Sequence, residues 1–397
     1  MSLSTTTKTQ TQIHDLLLFE TLLDPQEQAV LDKARSFLAG LDDAGLNRAW
    51  EKAEFPFELV RSLAEQGLLG QHLHTGQEPS HLLRGLLTAE LARKDASLAT
   101  FVGVSGSLFG LSVRRFGSPA QQAEILPAVA TGELVGAFAL TEPDSGSDIA
   151  GGLTTTARRD GADWVINGAK RWIGNATWGH RAIVWAKEQG GDGRFLGFIV
   201  PTDAPGWSAE KIEGKHSLRT VQNAHITLTD VRVPDTSRLP GVSSFREISE
   251  VLKSTRLEVG WTALGNAIGA FDAALAHSTE RRQFGRPLAR FQLVQDLLVR
   301  SEMNITSSMG ALVQASRLAD LGELKEDHAS LAKLLAASQA RQTVALCREV
   351  LGGNGILLEN KVMKHFMDAE AIYTFEGTHQ INTLIVGRAL TGISAFV

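Results

Sequence analysis

A chain of 397 residues, 43% hydrophobic and 21% charged, exceeds one typical domain and can bury sizeable cores in two or three packed units. Its net charge of -5 excludes the basic excess of a general nucleic-acid binder, so no nucleic-acid partner is expected. A single cysteine, Cys347, excludes an intrachain disulfide framework and a cysteine-rich metal site, and fits a reducing compartment.

In chain order, the segment up to His14 is rich in Thr and Gln, with neither a signal-peptide pattern nor arginine-rich transit character. No apolar run approaches the roughly 18 residues that span a bilayer, so no membrane partner is expected. From about Asp24 to Gly132 the texture is helical. Asp24 is a cap candidate, Pro25 suits a first helical turn, and Gln26 to Leu31 supply the body. Leu82, Leu83, Leu86, Leu87 and Leu91 then form one apolar helical stripe. Residues 1–132 read as an N-terminal helical domain.

Residues 133–240 read as a small β-domain. Trp164-Val165-Ile166-Asn167-Gly168 carries an Asn-Gly pair expected to turn a hairpin into Lys170-Arg171-Trp172-Ile173. Runs at 182–185, 195–200 and 225–228 supply further strands, punctuated by Gly and Pro. Beyond Pro240, helices are expected over roughly 248–279, 288–322, 327–352 and 375–393, long enough to pack as a bundle filling 241–397. The fold class is mainly α with a middle β domain. The chain ends Ser394-Ala395-Phe396-Val397, not a Ser-Lys-Leu-type peroxisomal address, and a cytoplasmic location is the expectation.

Six short segments carry candidate chemistry. Glu376 follows the apolar-aromatic run Ile372-Tyr373-Thr374-Phe375 and precedes Gly377-Thr378. A carboxylate there is desolvated and becomes a stronger base towards a carbon acid, while glycine lets a ligand approach the backbone. Thr141 to Asp148 offers hydroxyl and N–H donors to a heteroaromatic ring or a phosphate, or else is a surface turn. Trp172 beside Ile173 and Gly174 can present a flat apolar wall, or simply fill a core. Arg281-Arg282-Gln283-Phe284 is a diphosphate-binding candidate, or a solvated charge run at a helix end. Ser254-Thr255-Arg256 could hold a phosphate from an early helical turn, and an exposed arginine is the plainer reading. Gly352 and Gly353 close a helix as a C-cap. No G-x-G-x-x-G and no H-E-x-x-H occurs, so neither a Rossmann dinucleotide site nor a metal-hydrolase centre is expected.

Thr141-Glu142-Pro143-Asp144-Ser145-Gly146-Ser147-Asp148, taken with the Glu376 segment, resembles the acyl-CoA dehydrogenase and acyl-CoA oxidase superfamily of flavoenzymes over most of the chain. The resemblance implies an α–β–α architecture with a C-terminal four-helix bundle, FAD as cofactor and a homotetramer. It implies that FAD meets Phe138, Leu140, Thr141, Ser147, Trp172, Ile173, Gly174, Thr378 and Gln380. Arg281, Gln283, Phe284, Gln292, Gly352 and Gly353 would complete the cofactor site, often from a neighbouring subunit. Ser147, Ser254, Thr255, Arg256 and Gly377 would meet acyl-CoA.

The same resemblance makes Glu376 the base for the α-proton, with the β-hydrogen leaving as hydride to flavin N5. The thioester carbonyl would be polarised by the Glu376 backbone N–H and a ribityl hydroxyl. Long-chain and isovaleryl relatives carry their base directly before the residue matching Arg256, where this chain has Thr255, so Glu376 keeps the role.

Within the superfamily, the tail from Glu376 to Ile393 is similar to glutaryl-CoA dehydrogenase and plant-type short-chain acyl-CoA oxidase. Ala99 stands where a glutaryl-binding arginine would align, which disfavours a glutaryl substrate. Gly174 replaces a common threonine near flavin N5, which keeps oxygen open as acceptor beside electron-transferring flavoprotein. Trp261 is a candidate for limiting the acyl pocket. A flavin monooxygenase or nitroalkane oxidase on the same fold is opposed by Glu376 itself.

Overall fold

The computed structural model describes residues 15–70, 78–190 and 192–396. Helices come first: α1 (Pro25–Ala39), α2 (Asp43–Lys52), α3 (Leu59–Glu65), α4 (His81–Lys94), α5 (Ala96–Val102), α6 (Leu111–Phe116) and α7 (Pro119–Thr131). Asp24 caps α1 as its sequence suggests. Its side chain accepts from Gln26 N and Glu27 N at 2.8 Å each, and Pro25 opens the helix without wasting a donor. Ser80 and Ser118 cap α4 and α7 in the same way.

Between α5 and α6 the helix widens into a π-helical stretch, Gly103–Gly110. Ala96–Phe116 is therefore one 21-residue helical run, long and apolar enough by composition to cross a membrane, contrary to the expectation that no such run exists. Its apolar window is 67% buried inside the protein, where Leu98, Phe101 and Phe109 are core residues. Ordinary packing accounts for its apolarity.

The middle stretch holds β1 (Gly136–Ala139), the short α8 (Ile149–Gly152), β2 (Thr156–Asp160), β3 (Asp163–Gly174), β4 (Arg181–Gln189), β5 (Phe195–Pro201), β6 (Trp207–Lys211) and β7 (Asn223–Pro234). They form one seven-stranded sheet, ordered β1-β4-β2-β3-β7-β6, with β5 antiparallel on β4. The Asn-Gly pair does not turn a hairpin. Asn167 and Gly168 lie inside the continuous β3, at a register shift against β7. A Cβ on Gly168 would come within 2.8 Å of the Thr155 Cα, so glycine serves close strand approach there. The β2–β3 turn uses Gly161 instead, at φ +63.

The last stretch is α9 (Phe245–Glu280), the small hairpin β8 (Arg282–Gln283) and β9 (Arg286–Pro287), then α10 (Gln292–Asp320), α11 (Glu326–Val350), α12 (Val362–Thr374) and α13 (His379–Thr391). The helix expected over 375–393 starts at His379. Phe375 to Thr378 form a link between α12 and α13, because consecutive positive-φ residues cannot continue a helix.

α4 lies against α9 through small residues spaced by four on both helices. A Cβ on Gly85 would strike Trp261, one on Gly265 would sit 2.0 Å from the Ala89 carbonyl oxygen, and one on Gly269 would meet the Arg93 carbonyl oxygen at 2.5 Å. The shared ascending order makes the two helices parallel and fixes their register. Gly265→Ala should lower the urea midpoint by an amount worth about 1–3 kcal/mol, with the slope unchanged. An unchanged midpoint would contradict this close crossing.

Candidate active site

Glu376 sits in the link between α12 and α13, at φ 55, followed by Gly377 at φ 81. Thr378 then caps α13, its hydroxyl accepting from Ile381 N at 3.2 Å. Two successive left-handed residues reverse the chain sharply and turn the Glu376 carboxylate back towards α9. There Thr255 Oγ1 donates to Glu376 Oε2 at 3.0 Å. Buried side chains hold the carbonyls in and just before the link. Lys333 Nζ, from α11, donates to Tyr373 O at 3.0 Å and to Gly377 O at 2.8 Å. Asn382 Nδ2 donates to Gly377 O at 2.7 Å.

Burial raises the Glu376 carboxyl above its ordinary value; Arg256, the Thr255 hydroxyl and Lys333 oppose that rise without cancelling it, and Glu258 adds to it. The group is a stronger base than a solvated carboxylate. Among the described residues, the Glu376 backbone N–H donates to no internal acceptor. It is available to a ligand oxygen. Glu258, the other carboxylate on this part of α9, is bound to Arg84 at 2.7 Å.

Arg256 is not placed to meet an incoming phosphate. It is buried, its Nη1 donates to Glu326 Oε1 at 2.8 Å, and its Nε lies behind Gly377, 3.5 Å from where a Cβ would stand. Thr255 is likewise buried under Glu376. Ser254 is partly exposed at the lip, accepting from Arg115 Nη2 at 3.3 Å. Trp261 comes six residues after Thr255, about 120° round the helix. Its ring covers Gly85 and its indole N–H donates to Ser316 Oγ at 3.2 Å, so it packs between helices and does not face Glu376.

The 138–148 segment is anchored by its own glutamate. Glu142 accepts from Thr154 N and Oγ1 at 2.7 and 2.6 Å, from Thr155 N and Oγ1 at 2.9 and 2.5 Å, and from Lys170 Nζ at 2.9 Å. Burial alone would raise this carboxyl; Lys170 and the threonines outweigh it and hold Glu142 at about 2. Phe138 and Leu140 point their side chains into the core, Phe138 against Trp185, so only their backbone can face a cofactor. Thr141 is partly exposed, with its carbonyl accepting from Arg171 N at 2.9 Å, and Ser147 is fully exposed.

A second register shift in β3, between Lys170 and Ile173, pushes Trp172 out of the sheet. It stands at φ 65 with half its surface open, while Ile173 is core. The side-chain direction of Gly174 meets Val104, from the π-helical stretch, at 3.4 Å and Val221 at 3.7 Å.

The remaining expected cofactor residues lie elsewhere. Arg281 follows Thr255 by 26 residues, about 39 Å along α9 at the ordinary helical rise. α11 runs parallel to α9, with Gly260 beside Lys333 and Asp272 near Cys347, so Gly352 and Gly353 also fall at that far end. Arg281, Gln283, Phe284, Gln292, Gly352 and Gly353 are exposed. None of these six can reach Glu376 of the same chain. Thr378 and Gln380 do lie beside it, Gln380 exposed on the first turn of α13.

The sequence reading missed Lys333 and Asn382, both fully buried in the link's support. For Lys333 a signal existed: it is the lone charge in Leu331-Ala332-Lys333-Leu334-Leu335-Ala336. Among the described residues no group of three or more His, Cys, Asp or Glu could hold a metal ion.

Family models described as the N-terminal, middle and C-terminal domains of acyl-CoA dehydrogenase match residues 24–133, 137–231 and 245–391. The chain is 31% identical to the probable acyl-CoA dehydrogenase YngJ of Bacillus subtilis, covering 93% of this chain and 98% of that one. It is 31% identical to the mitochondrial short-chain specific acyl-CoA dehydrogenase of Bos taurus, over 85% and 83% of the two chains. Among solved structures it resembles a glutaryl-CoA dehydrogenase from Mycobacterium smegmatis in complex with FADH2, at TM-score 0.91 and 35% identity, covering 95% and 97%. Butyryl-CoA dehydrogenase from Megasphaera elsdenii superposes at TM-score 0.88 with 28% identity, covering 93% and 98%.

Glu142 sets a pH window. Its folded value of about 2 lies below the ordinary 4.5, so its ionised form contributes stability that is complete above about 4.5 and lost as pH falls towards 2. Glu142→Gln should cost about 3–5 kcal/mol at neutral pH, because Lys170 stays buried without its partner. The gap to wild type should close as pH falls through that window. A constant gap, read from urea unfolding at each pH, would contradict the assignment.

Proposed function

This chain belongs to the acyl-CoA dehydrogenase family, and from that membership and the setting of Glu376 we propose an FAD-dependent α,β-dehydrogenation of an acyl-CoA thioester to the trans-2-enoyl-CoA. The observation that carries this reading is a carboxylate raised by burial directly beside its own free backbone N–H. Glu376 removes the α-proton. The enolate charge that develops on the thioester oxygen is met by the Glu376 N–H, a donor already fixed in place by the link. Thr255 holds the carboxylate in its orientation.

The residues present fit a flavin. Trp172, displaced from its sheet, supplies a flat apolar wall, and Thr141, partly exposed, and Ser147, exposed, offer hydroxyls. FAD, when bound, supplies the two-electron acceptor for the β-hydrogen. Arg281, Gln283, Phe284, Gln292, Gly352 and Gly353, at the far end of the bundle, would serve the FAD of a second copy. Exposed Leu293, Val299 and Met303 on α10, and Leu390 and Ile393 near the end of the chain, support assembly into a homotetramer.

A simple short- or medium-chain acyl group suits the chain better than glutaryl. Ala99 is buried in the core with Phe55, Leu91 and Phe101, and offers neither a cation nor open space to a second carboxylate. Burying that carboxylate without a partner costs several kcal/mol in order of magnitude. Electron-transferring flavoprotein is the acceptor favoured over oxygen, with Val104 and Val221 lining the position beside Gly174 at 3.4 and 3.7 Å from where a Cβ would stand.

Purified protein should be yellow and release FAD on denaturation, and anaerobic short-chain acyl-CoA should bleach it. Glu376→Gln should keep FAD and ligand binding while bleaching at least about 10³-fold more slowly. Near-normal bleaching would place the base elsewhere. Preferred turnover of glutaryl-CoA with CO2 release would overturn the substrate reading, and peroxide at full turnover rate without another acceptor would overturn the dehydrogenase reading. Solution mass should give four chains; an FAD-loaded monomer would refute the shared site.

A further inference from the structure

Lys333 is a fully buried lysine with a use that the reaction does not by itself require. α12 ends at Thr374, so Tyr373 contributes one of the last carbonyls that have no partner within the helix. Gly377 contributes the carbonyl just before α13 begins. Lys333 Nζ bonds both, at 3.0 and 2.8 Å, and so spans the Glu376 link from one side to the other. Its charge also lies at the negative end of α12. We propose that Lys333 is the positioning residue of the reaction. Through the two carbonyls it fixes the left-handed turn that aims both the Glu376 carboxylate and the Glu376 N–H, and through its charge it favours the ionised form of that carboxylate.

The assignment rests on Glu376 being the base. Burial lowers the Lys333 ammonium to about 8, while Glu376 nearby opposes that loss and Arg256 adds to it. The charged and titratable groups around Glu376 are Arg256 and Glu258 from α9, Lys333 from α11 with Glu326 paired to Arg256, and His379 at the start of α13, whose imidazole is held below its ordinary value by burial, Lys333 and Arg341. Arg256 is already neutralised by Glu326 at 2.8 Å, and Glu258 by Arg84. Among the described residues, Lys333 makes its hydrogen bonds to carbonyls only, so its charge is not paired with a carboxylate and acts on Glu376 beside that of Arg256.

Lys333→Gln keeps a donor and removes the charge. In the FAD-loaded protein it should lower kcat by about 100-fold, the scale of a small misplacement of reacting groups, and change KM by less than about threefold. The acid limb of the kcat profile should move to higher pH, because a cation that favoured ionised Glu376 is gone. Lys333→Ala should regain part of its rate with added propylamine, which can refill the ammonium position. A kcat loss with an unmoved acid limb and no amine rescue would reduce Lys333 to packing and overturn the proposal, as would an unchanged kcat. Glu376→Gln separates the two ideas. If it reduces flavin normally, the base assignment fails; if it is inactive while Lys333→Gln is unaltered, only the role of Lys333 fails. Adding Lys333→Gln to Glu376→Gln should cost nothing more.

Discussion

A partly buried, desolvated carboxylate beside a sharp chain reversal is the constraint on which the rest of the structure depends. Glu376 occupies a left-handed conformation that costs an L-residue roughly 1–2 kcal/mol, and its link leaves carbonyls of α12 and Gly377 that helical bonding cannot satisfy. Hydrogen bonds involving a charged group contribute roughly 1.5–3 kcal/mol each. The two from Lys333, with those from Asn382 and Thr255, outweigh the backbone cost. These donors come from α11, α13 and α9. α9, α11 and α13 must therefore be packed together before the Glu376 link takes this shape.

The same logic explains the close helix crossing and the bulged strand. α9 has to present Thr255 at one depth, and its register is fixed against α4 by Gly265 and Gly269, where backbone meets backbone. On the sheet side, the buried Glu142–Lys170 pair joins the segment after β1 to β3, while the register shift two residues later frees Trp172 from the core. The pair is weak as a net source of stability, since desolvating two charges offsets most of their attraction. Its five hydrogen bonds to Glu142 make it specific. They hold one arrangement of the 138–148 segment.

Much of this was legible from the residues. Asp24-Pro25 announced its helix because capping is local chemistry, and Glu376 was visible as a charge in an apolar run. The Asn-Gly pair misled because turn propensity is local, whereas the pairing of β3 with β7 is long-range and overrode it. The helix expected from 375 failed at consecutive positive φ values, which apolar periodicity cannot signal. Arg256 looked like a surface cation; its burial against Glu326 depends on α11 arriving from 70 residues away. Ala96–Phe116 escaped notice as a long apolar helix because small and polar residues interrupt it. The separation of Gly352 from Glu376 follows from the parallel run of α9 and α11, a tertiary fact with no sequence signature, whereas that of Arg281 follows from the length of α9 itself.

Exchange of the α-proton tests the central claim most directly, because it reads the base without requiring complete turnover. A saturated acyl-CoA analogue that cannot lose a β-hydrogen would be incubated with the FAD-loaded protein in D2O, and deuterium at the α-carbon followed by mass spectrometry. Wild type should incorporate deuterium, and Glu376→Gln should do so no faster than solvent alone. Equal incorporation by the two proteins would contradict the account.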